Sequence, residues 1–232
     1  MGICGSEPNK YNNLPKEKIE PLPRDIMQKI YNQGDCICKV YSNKETGTGF
    51  FCYIPFPDEF SYLPVLITNE HIINKDEILK NQNIKITFDD GKQTRIIDYT
   101  PERKIYSDKK YDITILEILP SKDNLFNFLE INIQNEEYND ESVYILHYPY
   151  DDKNSVSYGK ISIKNDEEYT IIHNCNTTKE SSGGPILLID DCKVIGVHKG
   201  YNKNNFTYND ATLLKYPILD FNSKFIKMSR KS

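Results

Sequence analysis

Thr177-Thr178-Lys179-Glu180-Ser181-Ser182-Gly183-Gly184-Pro185 places a serine directly before two glycines and ahead of an apolar run, Ile186-Leu187-Leu188-Ile189. A serine hydroxyl is a weak nucleophile. It needs an exposed position, backbone N–H groups facing the reacting carbonyl, and a base within reach. The paired glycines let other segments come close to Ser182. Taken alone, the stretch is also ordinary turn chemistry. Two earlier segments change its meaning. In Leu66-Ile67-Thr68-Asn69-Glu70-His71-Ile72-Ile73 a hydrophobic run ends near a histidine, and in Tyr111-Asp112-Ile113-Thr114-Ile115-Leu116 an aspartate opens another. Together they supply base, orienting acid and nucleophile in the order His71, Asp112, Ser182.

His71 suits the base because its ordinary pKa lies nearest to working pH. Asp112 would accept the other ring N–H and fix the tautomer. Asp98 and Asp108 compete less well, since neither leads directly into the apolar run. A lone histidine after a strand, or a lone aspartate before one, is usually structural. The reading rests on the three occurring in order. His147 and His173 lie inside strand patterns without such context and read as structural.

The order and the local motifs resemble the chymotrypsin-fold (trypsin-like) serine proteases, over residues 34–216. Gly47-Thr48-Gly49-Phe50 fits the glycine-containing strand that precedes the histidine there. Thr177-Thr178 and Val194-Ile195-Gly196-Val197-His198 resemble the glutamyl endopeptidases more closely still. The resemblance implies a serine endopeptidase acting on protein or peptide substrates without a cofactor or metal. It implies an oxyanion hole made by the backbone N–H groups of Glu180 and Ser182. Here the chain departs from the pattern: the position of Glu180 is nearly always glycine, and a Cβ disfavours positive φ. The resemblance also implies that Thr177 and His198 line the pocket for the residue before the scissile bond, which would suit an acidic side chain. A pocket wall without charge selectivity is the alternative for His198. Ser181 stands where secreted digestive members carry an aspartate that pairs with a freshly cleaved N-terminus, so activation by N-terminal cleavage is not required.

The rest of the chain fits an all-β fold. Candidate strands fall at 37–41, 49–54, 64–68, 84–88, 94–99 and 113–119, then at 142–148, 156–163, 169–174, 185–189, 193–197 and 207–214. Asp89-Asp90-Gly91-Lys92 is a hairpin signal. Many short strands with regular turns imply barrels or sandwiches. Two sets of six suit two antiparallel β-barrels with the active site between them: barrel one at 34–120, a looser link, and barrel two at 133–216. A C-terminal helix is expected within 217–232, with Phe221, Phe225 and Met228 on one face. Residues 1–33 read as a polar arm followed by a short helix from Arg24.

Composition narrows the function. The 232 residues carry a net charge of −5, and no Lys/Arg stripe interleaves with aromatics, which argues against nucleic acid. Six cysteines show no paired metal spacing, so Cys36, Cys38, Cys52 and Cys192 read as small apolar strand residues. No apolar run reaches membrane-helix length, and no secretory leader is evident. A cytoplasmic monomer with reduced cysteines is expected. Met1-Gly2-Ile3-Cys4-Gly5-Ser6 fits an N-myristoylation pattern at Gly2, with Cys4 beside it for palmitoylation. Such acyl chains would anchor the chain to the cytoplasmic face of a membrane. An unmodified N-terminus is the alternative. Two readings compete with the peptidase: a catalytically impaired, protease-like peptide-binding module, and a scaffold in which the lipidated arm matters most.

Overall fold

The structure is a computed structural model that describes residues 21–229, except 44, 89, 135–137, 139, 150–152, 163–167 and 203–207. Gly2 and Cys4, and the arm before residue 21, lie outside the described residues.

The first half is one antiparallel sheet. Its strands are β1 (Ile37–Tyr41), β2 (Thr46–Pro55), β3 (Tyr62–Thr68), β4 (Asn83–Phe88), β5 (Gln93–Asp98), β6 (Ile105–Asp108) and β7 (Ile113–Glu117), in the order β5-β4-β1-β2-β3-β7-β6. The second half is a closed barrel of β8 (Ser142–His147), β9 (Ser155–Ser162), β10 (Thr170–His173), β11 (Pro185–Leu188), β12 (Val194–Tyr201) and β13 (Asn209–Leu213). The expected all-β fold is therefore present, with a difference in the first half. That half is a curled sheet of seven strands, because the short strand β6 pairs with β7 through Ser107 and Thr114. Its four residues are too few to show an alternating pattern in sequence.

Strand alternation explains the core. In β2, Phe50, Cys52 and Ile54 face the core shared by the two halves, while Phe51 faces the interior of the first sheet with Val40, Leu66 and Ile86. Val143, Ile145, Ile186 and Ile195 fill the second barrel. The turn between β4 and β5 carries Asp90 and Gly91 at positive φ, which a tight hairpin requires.

Helices close the ends. The N-terminal helix α1 (Arg24–Gln33) buries Ile30. The helix α2 (Lys75–Asn81) follows the histidine segment; Asn74 caps it by accepting from the Glu77 N–H at 3.0 Å. A single turn, α3 (Pro120–Asp123), lies in the expected link. There Asp123 meets Arg103 in a buried two-pronged ion pair at 2.7 and 3.0 Å. The C-terminal helix α4 (Lys215–Ser229) starts earlier than its apolar spacing suggests, with Pro217 in its first turn, where no intrahelical N–H is needed. Its Ile218 and Phe221 are fully buried, each contributing about 2–3 kcal/mol. Among the described residues no helix is long and apolar enough to cross a membrane.

Candidate active site

His71 sits just past the end of β3, and Asp112 just before the start of β7. The two strands pair directly, Thr68 opposite Thr114, which brings the two side chains together. The His71 Nδ1 and Asp112 Oδ2 lie 2.8 Å apart, and Oδ1 accepts the backbone N–H of His71 at 3.0 Å. Asp112 has φ of 53°, in the left-handed region that aspartate tolerates better than most residues. Asn69 holds this turn by donating its side-chain N–H to the Asp112 carbonyl at 2.9 Å. The carboxylate thus orients both the ring and the backbone of His71, which leaves Nε2 as the basic nitrogen. Burial of the ring disfavours its charged form, but the hydrogen bond and charge of Asp112, helped by Glu45 and Glu70, outweigh it and raise the pKa above 6.5.

Ser182 lies on the turn leading into β11 and is buried. Its carbonyl accepts the Thr48 N–H at 2.7 Å, which ties the turn to β2 of the first half. Gly183 explains the need for glycine. It has φ of +90°, and a Cβ there would lie 1.9 Å from the Thr48 carbonyl oxygen. The Ser182 hydroxyl donates to the backbone carbonyl of Lys199 at 2.8 Å. Lys199 stands at a register shift in the pairing of β12 with β13.

The segment before Ser182 is a turn of 3-10 helix, Lys179–Ser181. The Ser182 N–H points to the Lys179 carbonyl at 3.5 Å, and Glu180 has no positive φ. The Lys179 carbonyl thus occupies the side of the turn on which two N–H donors would stabilise an oxyanion. Of the two expected donors, Ser182 thus directs its N–H at the Lys179 carbonyl. Three contacts hold the turn in this form. The Glu180 carboxylate pairs with Lys39 Nζ at 3.0 Å, the Glu180 carbonyl accepts the Thr48 hydroxyl at 3.0 Å, and the Ser181 hydroxyl accepts the Thr178 N–H at 2.9 Å.

Ser181 is also bound from behind. Its hydroxyl lies 2.7 Å from His147 Nδ1, and His147 Nε2 lies 3.0 Å from the Ser157 hydroxyl. A neutral ring donates to one of these two hydroxyls and accepts from the other. Burial keeps the ring neutral by lowering the His147 pKa to about 4.

Of the expected pocket residues, Thr177 is buried and turns its hydroxyl to Asn209 Oδ1 at 3.0 Å. His198 is buried and stacks edge-on with His173, and its Nδ1 lies 3.1 Å from His173 Nε2. The Cys175 N–H meets His173 Nδ1 at 3.3 Å. That bond places the His173 proton on Nε2, from which it is donated to His198 Nδ1. The His198 proton is then on Nε2, which has no hydrogen-bond partner among the described residues. Burial, followed by the neighbouring histidines, keeps the His198 pKa well below 6.5. His173, expected to be only structural, is the residue that sets this tautomer.

Sequence reasoning also missed Lys39, a charge within the apolar run of β1, and the Lys199 carbonyl, which side-chain reading cannot reveal. The five described cysteines are buried and unpaired. Burial pushes the Cys175 thiol up to about 12, and burial with the charge of Asp35 does the same to Cys36, so neither offers a competing nucleophile near neutral pH.

Residues 47–197 match the family described as the trypsin-like peptidase domain. No curated protein matches the sequence. Solved structures share the fold at low identity. The serine endoprotease from Yersinia pestis is 17% identical, with a TM-score of 0.62 over 86% of this chain and 69% of that one. A protease of M. tuberculosis in its inactive form is 15% identical, with a TM-score of 0.60 over 84% of this chain and 91% of that one. The serine protease of a human pathogenic astrovirus is 17% identical, with a TM-score of 0.54 over 78% of this chain and 90% of that one.

Proposed function

The chain belongs to the trypsin-like peptidase domain family, and from that membership we propose a serine endopeptidase whose catalytic groups are Ser182, His71 and Asp112. The observation that carries the reading is the two-point contact of Asp112 with His71, at the ring and at the backbone. It leaves Nε2 of His71 as a base for the Ser182 hydroxyl. In the reaction, Ser182 Oγ attacks the scissile carbonyl as His71 takes its proton. The tetrahedral oxyanion collapses, His71 gives the proton to the leaving amine, and water then hydrolyses the acyl-enzyme by the same route. Asp112 stays ionised throughout and stabilises the imidazolium. For this the Ser182 hydroxyl must leave the Lys199 carbonyl, and the peptide joining Lys179 and Glu180 must turn to present its N–H.

The residue before the scissile bond is proposed to be acidic. The free Nε2–H of buried His198 supports this, because a substrate carboxylate would supply the acceptor that nitrogen lacks. The turned-in Lys179 carbonyl favours a second reading, an impaired peptide-binding module. One experiment separates the two. A fluorophosphonate probe should label the wild-type protein at Ser182, fail on Ser182→Ala, and label His71→Ala only weakly. Absence of labelling in the folded wild-type protein, with peptide binding retained, would replace the peptidase by the binding module.

A further inference from the structure

We propose that Lys39 is a positioning residue that sets the state of the oxyanion turn, its ion pair with Glu180 acting as a latch that keeps the Lys179 carbonyl turned inward. The inference rests on the serine peptidase reading and concerns the regulation of the same site.

Lys39 and Thr48 are directly paired across β1 and β2. Both reach the same residue of the distant turn. Lys39 takes the Glu180 carboxylate, and the Thr48 hydroxyl takes the Glu180 carbonyl. The Lys39 side chain is only 10% exposed, so its charge is shielded from water while Glu180, at 42%, lies at the surface end of the pair. A nearly buried ammonium facing a carboxylate interacts more strongly than an exposed pair would.

The consequence follows from the backbone. With the side chain and carbonyl of Glu180 both tethered, the frame of its Cα is fixed. The peptide before it can then turn only by rotating φ into the left-handed region, where the Cβ is penalised. A Glu180 released from Lys39 can tilt its Cα frame and share the rotation among neighbouring torsions. The Ser182 N–H, now directed at the Lys179 carbonyl, becomes free when that carbonyl leaves. The latch therefore joins the first half of the fold to the donor geometry in the second.

The test uses the full chain with Lys39→Met, Glu180→Gln and the double variant, and two readouts. The first is hydrogen exchange at the Ser182 amide, with the Gly183 amide, bonded to the His198 carbonyl at 2.9 Å, as an internal control. The second is turnover of a peptide substrate. Each single variant should speed Ser182 exchange about ten-fold or more while Gly183 holds, the order expected when one net hydrogen bond and its tether are lost. The double variant should add little, since both singles remove the same interaction. Lys39→Arg should restore slow exchange. Turnover should rise in kcat with KM unchanged. Unchanged Ser182 exchange in Lys39→Met and Glu180→Gln overturns the latch, as does equal acceleration at Gly183. Faster Ser182 exchange in variants that, like the wild type, cleave nothing supports the latch and sinks the peptidase reading instead.

Discussion

The hydroxyl of Ser182 donates to the carbonyl of Lys199 at 2.8 Å, so its single proton is committed to the backbone and not to the ring of His71. A hydrogen bond of this kind is worth about 0.5–1.5 kcal/mol net. That lowers the population of the reactive rotamer by roughly an order of magnitude at most. A missing oxyanion donor costs about 3–4 kcal/mol. The turn at Glu180 is therefore the larger restraint, and the parked hydroxyl the smaller one.

Replacing Glu180 by glycine removes both the Cβ that opposes positive φ and the carboxylate that Lys39 holds. Turnover by Glu180→Gly is expected to rise on the order of 10²-fold with KM little changed, because an oxyanion donor acts in the transition state. Steady-state kinetics on a folded variant checks this. Equal or lower kcat would mean that the turn opens freely in the wild type.

The pH profile follows from His71. Its folded pKa is raised, and the base works only when neutral, so turnover should climb through a midpoint above 6.5 and level off on the alkaline side. By linkage, the same shift contributes stability that is fully present below the unfolded pKa and fades as pH rises through the folded one. Asp112→Asn leaves burial without the compensating charge. Its midpoint should fall below 6.5, and turnover should drop by about 10⁴-fold. A profile with the same midpoint in both proteins would contradict the assignment of His71 as base.

His147, His173 and His198 carry shifts of the opposite sign. Burial lowers all three, His147 to about 4 and His173 to about 3. Their contribution is present above the unfolded pKa and is lost as pH falls from 6.5 toward those values. For His147 alone the loss is roughly 3 kcal/mol. Thermal unfolding between pH 7.5 and 4 should show a falling Tm, with a shallower fall in His147→Gln. A flat acid limb in the wild type would show that these rings are not held neutral.

Specificity is expected to depend on the His173–His198 pair. Peptides with glutamate before the scissile bond should exceed matched glutamine peptides in kcat/KM by about ten-fold or more, and His198→Ala should abolish most of that difference. His173→Phe should reduce it in part, by freeing the tautomer of His198. Equal cleavage of the two peptides by the wild type would remove the acidic pocket.

The N-terminal motif makes a separate prediction. If Gly2 is acylated in its host, Gly2→Ala should shift the protein from the membrane to the soluble fraction. Cys4→Ser should weaken retention, since one acyl chain binds only marginally. An intact mass that retains Met1 would rule this out.

His71, Asp112 and Ser182 stand out in the sequence as candidates because each carries its own local signal: an apolar run ending or beginning, or a glycine turn. The strands other than the four-residue β6 were legible for the same reason. The helix α2 had a signal as well, since Asn74 and Glu77 form an N-terminal cap, but its seven residues are too short for a clear period. Lys39 could be seen in sequence only as an odd charge in an apolar strand. Its partner lies in the other half of the chain, and tertiary packing alone brings them together. The tautomer of His198 likewise depends on a contact between strands, to His173, as well as on the Cys175 N–H two residues beyond His173.

The anchoring of Ser181 on neutral His147 has a consequence for how such an enzyme would be governed over time. The contacts described as holding the nucleophile turn are hydrogen bonds and an ion pair, which can let go and re-engage. Breaking and remaking such contacts leaves no covalent record that a molecule has once been active. Activity of this kind is a matter of current occupancy, not of history, and withdrawing whatever opens the turn would return the whole population to rest without new synthesis.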